Sequence, residues 1–273
     1  MQLLDSTRIL IRGGRLVVPD RGIDSRADLL IAGDRVEKIS TSPLRDSGAH
    51  AFDADGCIVS PGLIDPHVHL REPGAEHKET IRSGAEAAIA GGFTTVCCMP
   101  NTTPAIDLPS LVDFVQMRAR EAGMARVFCV GAATVGREGT RLAPIGAMAR
   151  AGAVGFSDDG DCVADPAVMG RVLQTCRSVG RAFMQHCQDP SLTQGAAMHA
   201  GSVSAKLGIG GWPSVAEDLI VERDLRLNKA IGCRWHAQHL SSGDSVEILR
   251  RARREGAPAS GEASPHHLLL THE

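Results

Sequence analysis

No stretch of this 273-residue chain is apolar for the roughly 20 residues that a bilayer-spanning helix requires. The first six residues, Met1-Gln2-Leu3-Leu4-Asp5-Ser6, lack the basic-then-apolar layout of a secretory signal. There is no basic block either. The 29 Lys and Arg residues are scattered among 32 Asp and Glu, for a net charge of −3, which argues against a nucleic-acid surface. The cluster Arg250-Arg251-Ala252-Arg253-Arg254 reads as a solvated face near a helix C-terminus, where cations are favoured. No Cys-x-x-Cys pair occurs among the eight cysteines. Most lie inside apolar runs, and the adjacent Cys97 and Cys98 must point to opposite faces of a strand. These features exclude a disulfide framework and fit a cytoplasmic protein with reduced core thiols. The content of 43% hydrophobic and 22% charged residues is that of a soluble globular chain.

The most informative run present is Pro61-Gly62-Leu63-Ile64-Asp65-Pro66-His67-Val68-His69-Leu70-Arg71-Glu72-Pro73-Gly74. An apolar strand pattern leads into His-Val-His, and residues two apart on a strand share a face. His67 and His69 therefore converge as a pair of nitrogen donors, for which zinc is the commonest metal. A bare His-x-His also suits two ordinary half-buried histidines. The Gly/Pro punctuation and Arg71 at the next inward position favour the metal. The guanidinium fork of Arg71 suits a carboxylate held beside it.

Before residue 60 the pattern is β-rich. Residues 8–18 and 28–39 read as short strands with glycine turns, and 43–55 reads as a loop. After residue 60, strands alternate with helices. Strands are expected at 63–68, 93–99, 126–132, 153–157, 182–187, 233–238 and 257–263. Helices are expected at 77–90, 110–122, 142–151, 166–179, 213–230 and 245–255, with glycines just past their ends. Such alternation makes a parallel sheet covered by helices. The α/β class allows an open doubly wound sheet. A TIM-like (β/α)8 barrel fits better, because the unusual polar residues all fall where strands end. The domains expected are a small, partial β-sandwich module at 1–58 and the barrel at 59–273. Seven strands are present where such a barrel has eight, so the chain reads as part of a longer one, with strands one and seven as open edges.

The polar residues at strand ends are His67, His69 and Arg71 on the first strand, Asn101 on the second, and Asp158 and Asp159 on the fourth. The fifth contributes His186 and the sixth His239. Four imidazoles and a carboxylate around one mouth suit a one- or two-metal site. Each signal alone is weak, since Asp-Asp-Gly is usually a turn. His236 should face away, His266 and His267 should not both face inward, and His77 and His199 carry no assigned role.

The segment Asp65–Gly74 resembles the signature of dihydroorotases in the amidohydrolase superfamily. Met99-Pro100-Asn101-Thr102, Phe156-Ser157-Asp158-Asp159-Gly160, His239-Leu240-Ser241-Ser242 and Pro265-His266-His267-Leu268 resemble that family in the same order. The likeness runs from about residue 8 to the end and is greatest to the bacterial type. It implies a metal-dependent hydrolase barrel that interconverts N-carbamoyl-L-aspartate and L-dihydroorotate in de novo pyrimidine biosynthesis. It implies one or two Zn ions, with His67 and His69 on one, His186 and His239 on the other, and Asp159 as the bridge. It implies substrate binding by His69, Arg71 and Asn101. Many relatives bridge their metals with a modified lysine, but Lys38, Lys78, Lys206 and Lys229 all lie away from the fourth strand. The family's general base is an Asp on strand eight. No residue of this chain fills that role, so the 273 residues alone are expected to turn over little substrate. The alternatives are an allantoinase-like cyclic-amide hydrolase and a non-catalytic scaffold partner of aspartate carbamoyltransferase. The resemblance also leaves room for a homodimer and for a complex of the active enzyme with that transferase. Gln188 departs from the family pattern, which tends to carry an acid there.

Overall fold

The computed structural model describes residues 7–271, so the Met1–Ser6 segment read above for a secretory signal lies outside the described residues. The chain divides into two units, Met1–Leu63 and Ile64–Glu273.

The first unit is one sheet of β1 (Arg8–Val18), β2 (Ile23–Ala32), β3 (Arg35–Ser40), β4 (His50–Asp53) and β5 (Ile58–Val59), in the order β3-β2-β1-β4 with β5 also on β1. Residues 8–18 are a single strand rather than short pieces. The β1–β2 register slips between Ile11 and Gly14, and Gly13 absorbs the bulge at φ 71°. The Gly13 amide donates to Asp28 Oδ1 at 2.8 Å, and Leu44 N donates to the other oxygen at 2.7 Å, so this buried carboxylate is satisfied. The segment expected as a loop contains β4, which runs parallel to β1. All four of its residues are exposed. A strand with neither face buried has no apolar alternation to reveal it.

The second unit alternates strands and helices. They are β6 (Leu63–Val68), α1 (Ile81–Ala90), β7 (Phe93–Cys98), α2 (Pro109–Ala122), β8 (Arg126–Gly131), α3 (Ile145–Ala151), β9 (Gly155–Phe156), α4 (Pro166–Ser178) and β10 (Ala182–Gln185). An insert of α5 (Pro190–Thr193), β11 (Met198–His199), α6 (Ser202–Leu207) and β12 (Gly211–Trp212) follows. The unit closes with α7 (Val215–Ile231), β13 (Trp235–Ala237), α8 (Gly243–Arg254), β14 (Ala259–Gly261) and α9 (Pro265–Leu269). The sheet order is β14-β13-β10-β9-β8-β7-β6, and neighbours from β7 to β14 run parallel. Among the described residues β6 and β14 are the two ends of this path, which are the edges expected from the sequence.

Helices cover the sheet by burying one stripe each. In α4 the stripe is Val168, Met169, Val172, Leu173 and Cys176, spaced as a 3.6-residue period requires. Full burial of each such side chain is worth roughly 1.5–3 kcal/mol. They join Val96, Val127, Phe156, Phe183 and Trp235 in one core. The glycines at 123 and 232 end α2 and α7 in left-handed caps. Two helices start three or four residues later than the sequence suggests. α1 begins at Ile81 because Thr80 and Ser83 form a reciprocal cap at 3.0 Å. α3 begins at Ile145, as Leu142 forms a β-bridge with Thr134. All eight cysteines are free thiols, five of them buried. No helix among the described residues is long and apolar enough to cross a membrane.

Candidate metal centre

The C-terminal ends of the parallel strands carry the polar residues to one place. His67 is on β6 and His69 just beyond it; Asp159 follows β9, His186 follows β10 and His239 follows β13. Asp159 is 2% exposed and sits among all four imidazoles. Its Oδ1 lies 3.4 Å from His67 Nε2, 3.5 Å from His186 Nδ1 and 3.6 Å from His239 Nε2. Its Oδ2 lies 3.5 Å from His69 Nε2. A charge-assisted N–H···O bond closes to about 2.7–2.9 Å. Two donors that each stand about 2.0–2.1 Å from one tetrahedral ion are instead about 3.4 Å apart. His186 Nδ1 and His239 Nε2 stand 2.9 Å apart, at hydrogen-bond distance, but the spacing of all four imidazoles from Asp159 suits ligands around a cation better than direct hydrogen bonds. Two groups meet this test, His67–His69–Asp159 and Asp159–His186–His239, each with its ligand atoms within 4.8 Å of one another. Nitrogen and carboxylate donors of this kind fit a divalent transition metal.

The far side of three imidazoles is pinned. His67 Nδ1 lies 2.5 Å from Glu262 Oε1, His69 Nδ1 2.9 Å from Asn101 Oδ1, and His186 Nε2 2.7 Å from Gln188 Oε1. Each oxygen calls for a proton on the nitrogen that faces it, so in the neutral imidazole the lone pair lies on the nitrogen toward Asp159. The loop after His239 is held by Glu217, which accepts from Ser241 N at 2.9 Å and Ser242 N at 3.1 Å. The electrostatics follow from this crowding. Burial would raise the Asp159 carboxyl, but His186, His239 and His67 hold it far below the usual range. Burial resists charge on His67, yet Asp159 and Glu262 outweigh it and raise the imidazole to about 9. Glu262 is lowered to about 2 against its burial, by His236 and His67. His69 is lowered by burial.

Backbone strain is concentrated here. Among the described residues three non-glycine residues have positive φ: Arg71 at 59°, Arg137 at 62° and His239 at 33°. Each left-handed residue costs roughly 1–2 kcal/mol. Arg71 lies past the end of β6, so strand alternation is not what directs it. Its charge still bears on His69, and no carboxylate pairs with it among the described residues. Arg137 Nη1 donates to the Asp159 carbonyl at 2.5 Å. Asn101 uses its carbonyl end on His69, which leaves Nδ2 as a donor. A Cβ on Gly160 would stand 3.5 Å from that nitrogen. Asp158 is a different kind of residue. It is fully buried and accepts from the amides of Ala133 and Thr134 at 2.9 and 3.0 Å, so it joins two loops.

The structure thus brings His67, His69, Asp159, His186 and His239 together, with Asn101 and Arg71 beside His69. It corrects two expectations. His266 and His267 both line the cavity of about 640 Å³ that opens beside His186 and His239. They lie on α9, where adjacent side chains splay by about 100° and do not alternate as on a strand. His236 is not isolated from the site, because its Nε2 lies 3.2 Å from Glu262 Oε2. His199, given no role, lines the same cavity. Glu262 was missed in the sequence. Its signal was its place at the end of the seventh strand pattern, 257–263, since five of the six preceding strands had supplied a polar residue at that end.

The dihydro-orotase-like family model matches residues 56–245. A dihydroorotase of Leifsonia xyli subsp. xyli is 47% identical over 251 residues, which is 91% of this chain and 57% of that protein. One from Streptomyces coelicolor is 45% identical over 98% of this chain and 61% of its own length. The chain therefore spans about three fifths of the length of these relatives. Among solved structures, an L-hydantoinase from Arthrobacter aurescens superposes with a TM-score of 0.79 at 26% identity, over 96% of this chain and 59% of that one. A dihydropyrimidinase from Brevibacillus agri superposes with a TM-score of 0.76 at 23% identity over 97% of this chain and 59% of that one, a likeness of fold. The β/α barrel architecture, the Asp-centred histidine cluster and the family match agree: the chain belongs to the dihydro-orotase-like family.

Proposed function

We propose that the cluster binds one or two zinc ions and that the protein acts on the cyclic amide L-dihydroorotate, in equilibrium with N-carbamoyl-L-aspartate, in pyrimidine biosynthesis. The observation that carries this reading is Arg71. It is a cation without a carboxylate partner among the described residues, and its charge bears on His69, whose Nδ1 is held by Asn101. A substrate with a carboxylate next to its ring would satisfy Arg71 and the Nδ2 of Asn101, and a bidentate bond to guanidinium fixes the ring's orientation. Hydantoins and dihydrouracil carry no such group.

His67, His69, His186 and His239, with Asp159 between them, would hold the ions. When bound, zinc supplies Lewis acidity, polarising a carbonyl and making water nucleophilic near neutral pH. The chain's own residues hold the ligands and orient the substrate. Glu262, Asn101 and Gln188 hold the imidazoles with their lone pairs inward. Arg137 holds the Asp159 backbone, and Arg71 with Asn101 orients the substrate. The curated relatives named dihydroorotase support this reading. The same reading has the protein work in the cytoplasm, with a homodimer and an aspartate carbamoyltransferase complex as its candidate assemblies. Gel filtration and co-purification test these assemblies.

The deciding experiment is equilibrium binding to the zinc-loaded chain. L-dihydroorotate should bind at least ten times more tightly than dihydrouracil, hydantoin or allantoin, and Arg71→Met should remove that preference while leaving zinc content unchanged. Equal binding of the carboxylate-free rings would favour a hydantoinase- or allantoinase-like enzyme instead.

A further inference from the structure

Helix α7 carries an ion pair that none of the site chemistry above uses. Asp224 is fully buried. Its Oδ1 accepts from Arg223 Nε at 2.8 Å and Nη2 at 2.6 Å. Its Oδ2 accepts from Gln185 Nε2 at 3.0 Å and Trp235 Nε1 at 3.3 Å. Arg223 spends its remaining donors on backbone, with Nη2 to Val163 O at 2.8 Å and Nη1 to Ala164 O.

The partners of this pair are not a random set. Gln185 ends β10 and immediately precedes His186. Trp235 opens β13, the strand that delivers His239. Val163 and Ala164 belong to the loop between β9 and α4 that carries Asp159. One buried pair therefore touches the three segments that carry Asp159, His186 and His239, and none of its hydrogen bonds reaches β6, which carries His67 and leads to His69. Gln185 also shows what the contact costs. Turning its amide toward Asp224 leaves Gln185 Oε1 buried with no hydrogen-bond partner. A buried acceptor is rarely left unpaired without a reason elsewhere.

We propose that Arg223–Asp224 is a positioning pair for one half of the metal centre, setting the zinc affinity of the Asp159–His186–His239 group separately from that of His67 and His69. This rests on the reading of the cluster as a metal centre. Neither residue touches the ion. They act by fixing the backbone from which the ligands project, as outer partners of metal ligands do when their loss weakens binding by about 10–100-fold.

The test is zinc binding by the whole chain, followed by competition with a chromophoric chelator and by metal analysis after gel filtration. The wild type should hold two ions. Asp224→Asn should keep one and weaken the other by at least tenfold. Arg223→Lys, which keeps the charge but cannot span both carbonyls and the carboxylate, should do the same if Asp224→Asn fails to fold. Asn228→Ala is the control for destabilisation alone. Asn228 is as deeply buried on the same helix but bonds to Cys233, at the start of the segment leading to β13. It should lower the melting temperature and retain both ions. Zinc stoichiometry and affinity unchanged in Asp224→Asn or Arg223→Lys would overturn the proposal and leave the metal reading intact. So would a loss of the second ion in Asn228→Ala that matches its loss of stability. A wild-type chain that binds no zinc would overturn both.

Discussion

At the scale of single residues, the chemistry depends on which nitrogen of each imidazole carries a proton, and the oxygen behind each ring decides that. Glu262 is the most consequential of these, since it is the one carboxylate among the three oxygens that pin the imidazoles. Replacing it with Gln should weaken zinc binding by about 10–100-fold, read by chelator competition. In the metal-free chain the Glu262–His67 pair should also shape stability with pH. Glu262 is depressed to about 2, so its contribution is present above its unfolded value and fades as pH falls through about 2. His67 is raised to about 9, so its contribution is present below its unfolded value near 6.5 and is lost as pH rises through about 9. The difference in stability between wild type and Glu262→Gln, read from thermal melts, should therefore be widest near pH 4.5–6.5, on the order of 1–3 kcal/mol. A difference that did not vary with pH would remove this role. Arg71 and Asn101 were readable beforehand as donors, because the motif around each is specific. Glu262 was not, because a lone acid after a weak strand pattern looks like any surface residue. Its importance comes from a neighbour 195 positions away.

At the scale of elements, the loop between β6 and α1 carries Arg71, and packing against a second loop sets its shape. Gly74 sits at φ 100°, and a Cβ there would lie 2.0 Å from Thr103 O, which is backbone and cannot yield cheaply. Gly74→Ala should cost well over about 2 kcal/mol and disturb ligand binding through Arg71. Gly180→Ala provides the comparison: φ is 65° but nothing stands within 4 Å, so only the left-handed penalty of about 1 kcal/mol applies. Thermal melts of the two variants check the ranking, and equal losses would mean that the close approach at Thr103 is unimportant. The long strand–helix alternation was legible because buried stripes leave a period in the sequence. The ends of α1 and α3 were not. A local cap at Thr80 and a bridge at Leu142 decided them, and neither leaves a periodic signal. The exposed strand β4 and the short elements within the insert, α5 to β12, leave no such period either.

At the scale of the whole molecule, one buried carboxylate, Asp159, draws together the ends of four segments distant in sequence. A cation there would bind the folded chain and not the unfolded one. Zinc should therefore stabilise the folded chain by about 2.7 kcal/mol at one hundred times the dissociation constant, seen as a concentration-dependent rise in melting temperature that a chelator reverses. Melting that ignored zinc would argue against the metal centre.

The amino-acid sequence by itself determined the class of the protein and most of the site's inventory. The reason is that alternating periods, strand-end positions and the spacing His67-Val68-His69 are local properties of a chain. Only the tertiary structure decided how those groups are held. The turn of Arg71 out of the strand, the placing of His266 and His267 along one cavity, the bond of Glu262 to His67 and the reach of Asp224 to three segments all depend on contacts between residues far apart in sequence. Such contacts exist only once the sheet has curled and brought its strand ends to one mouth.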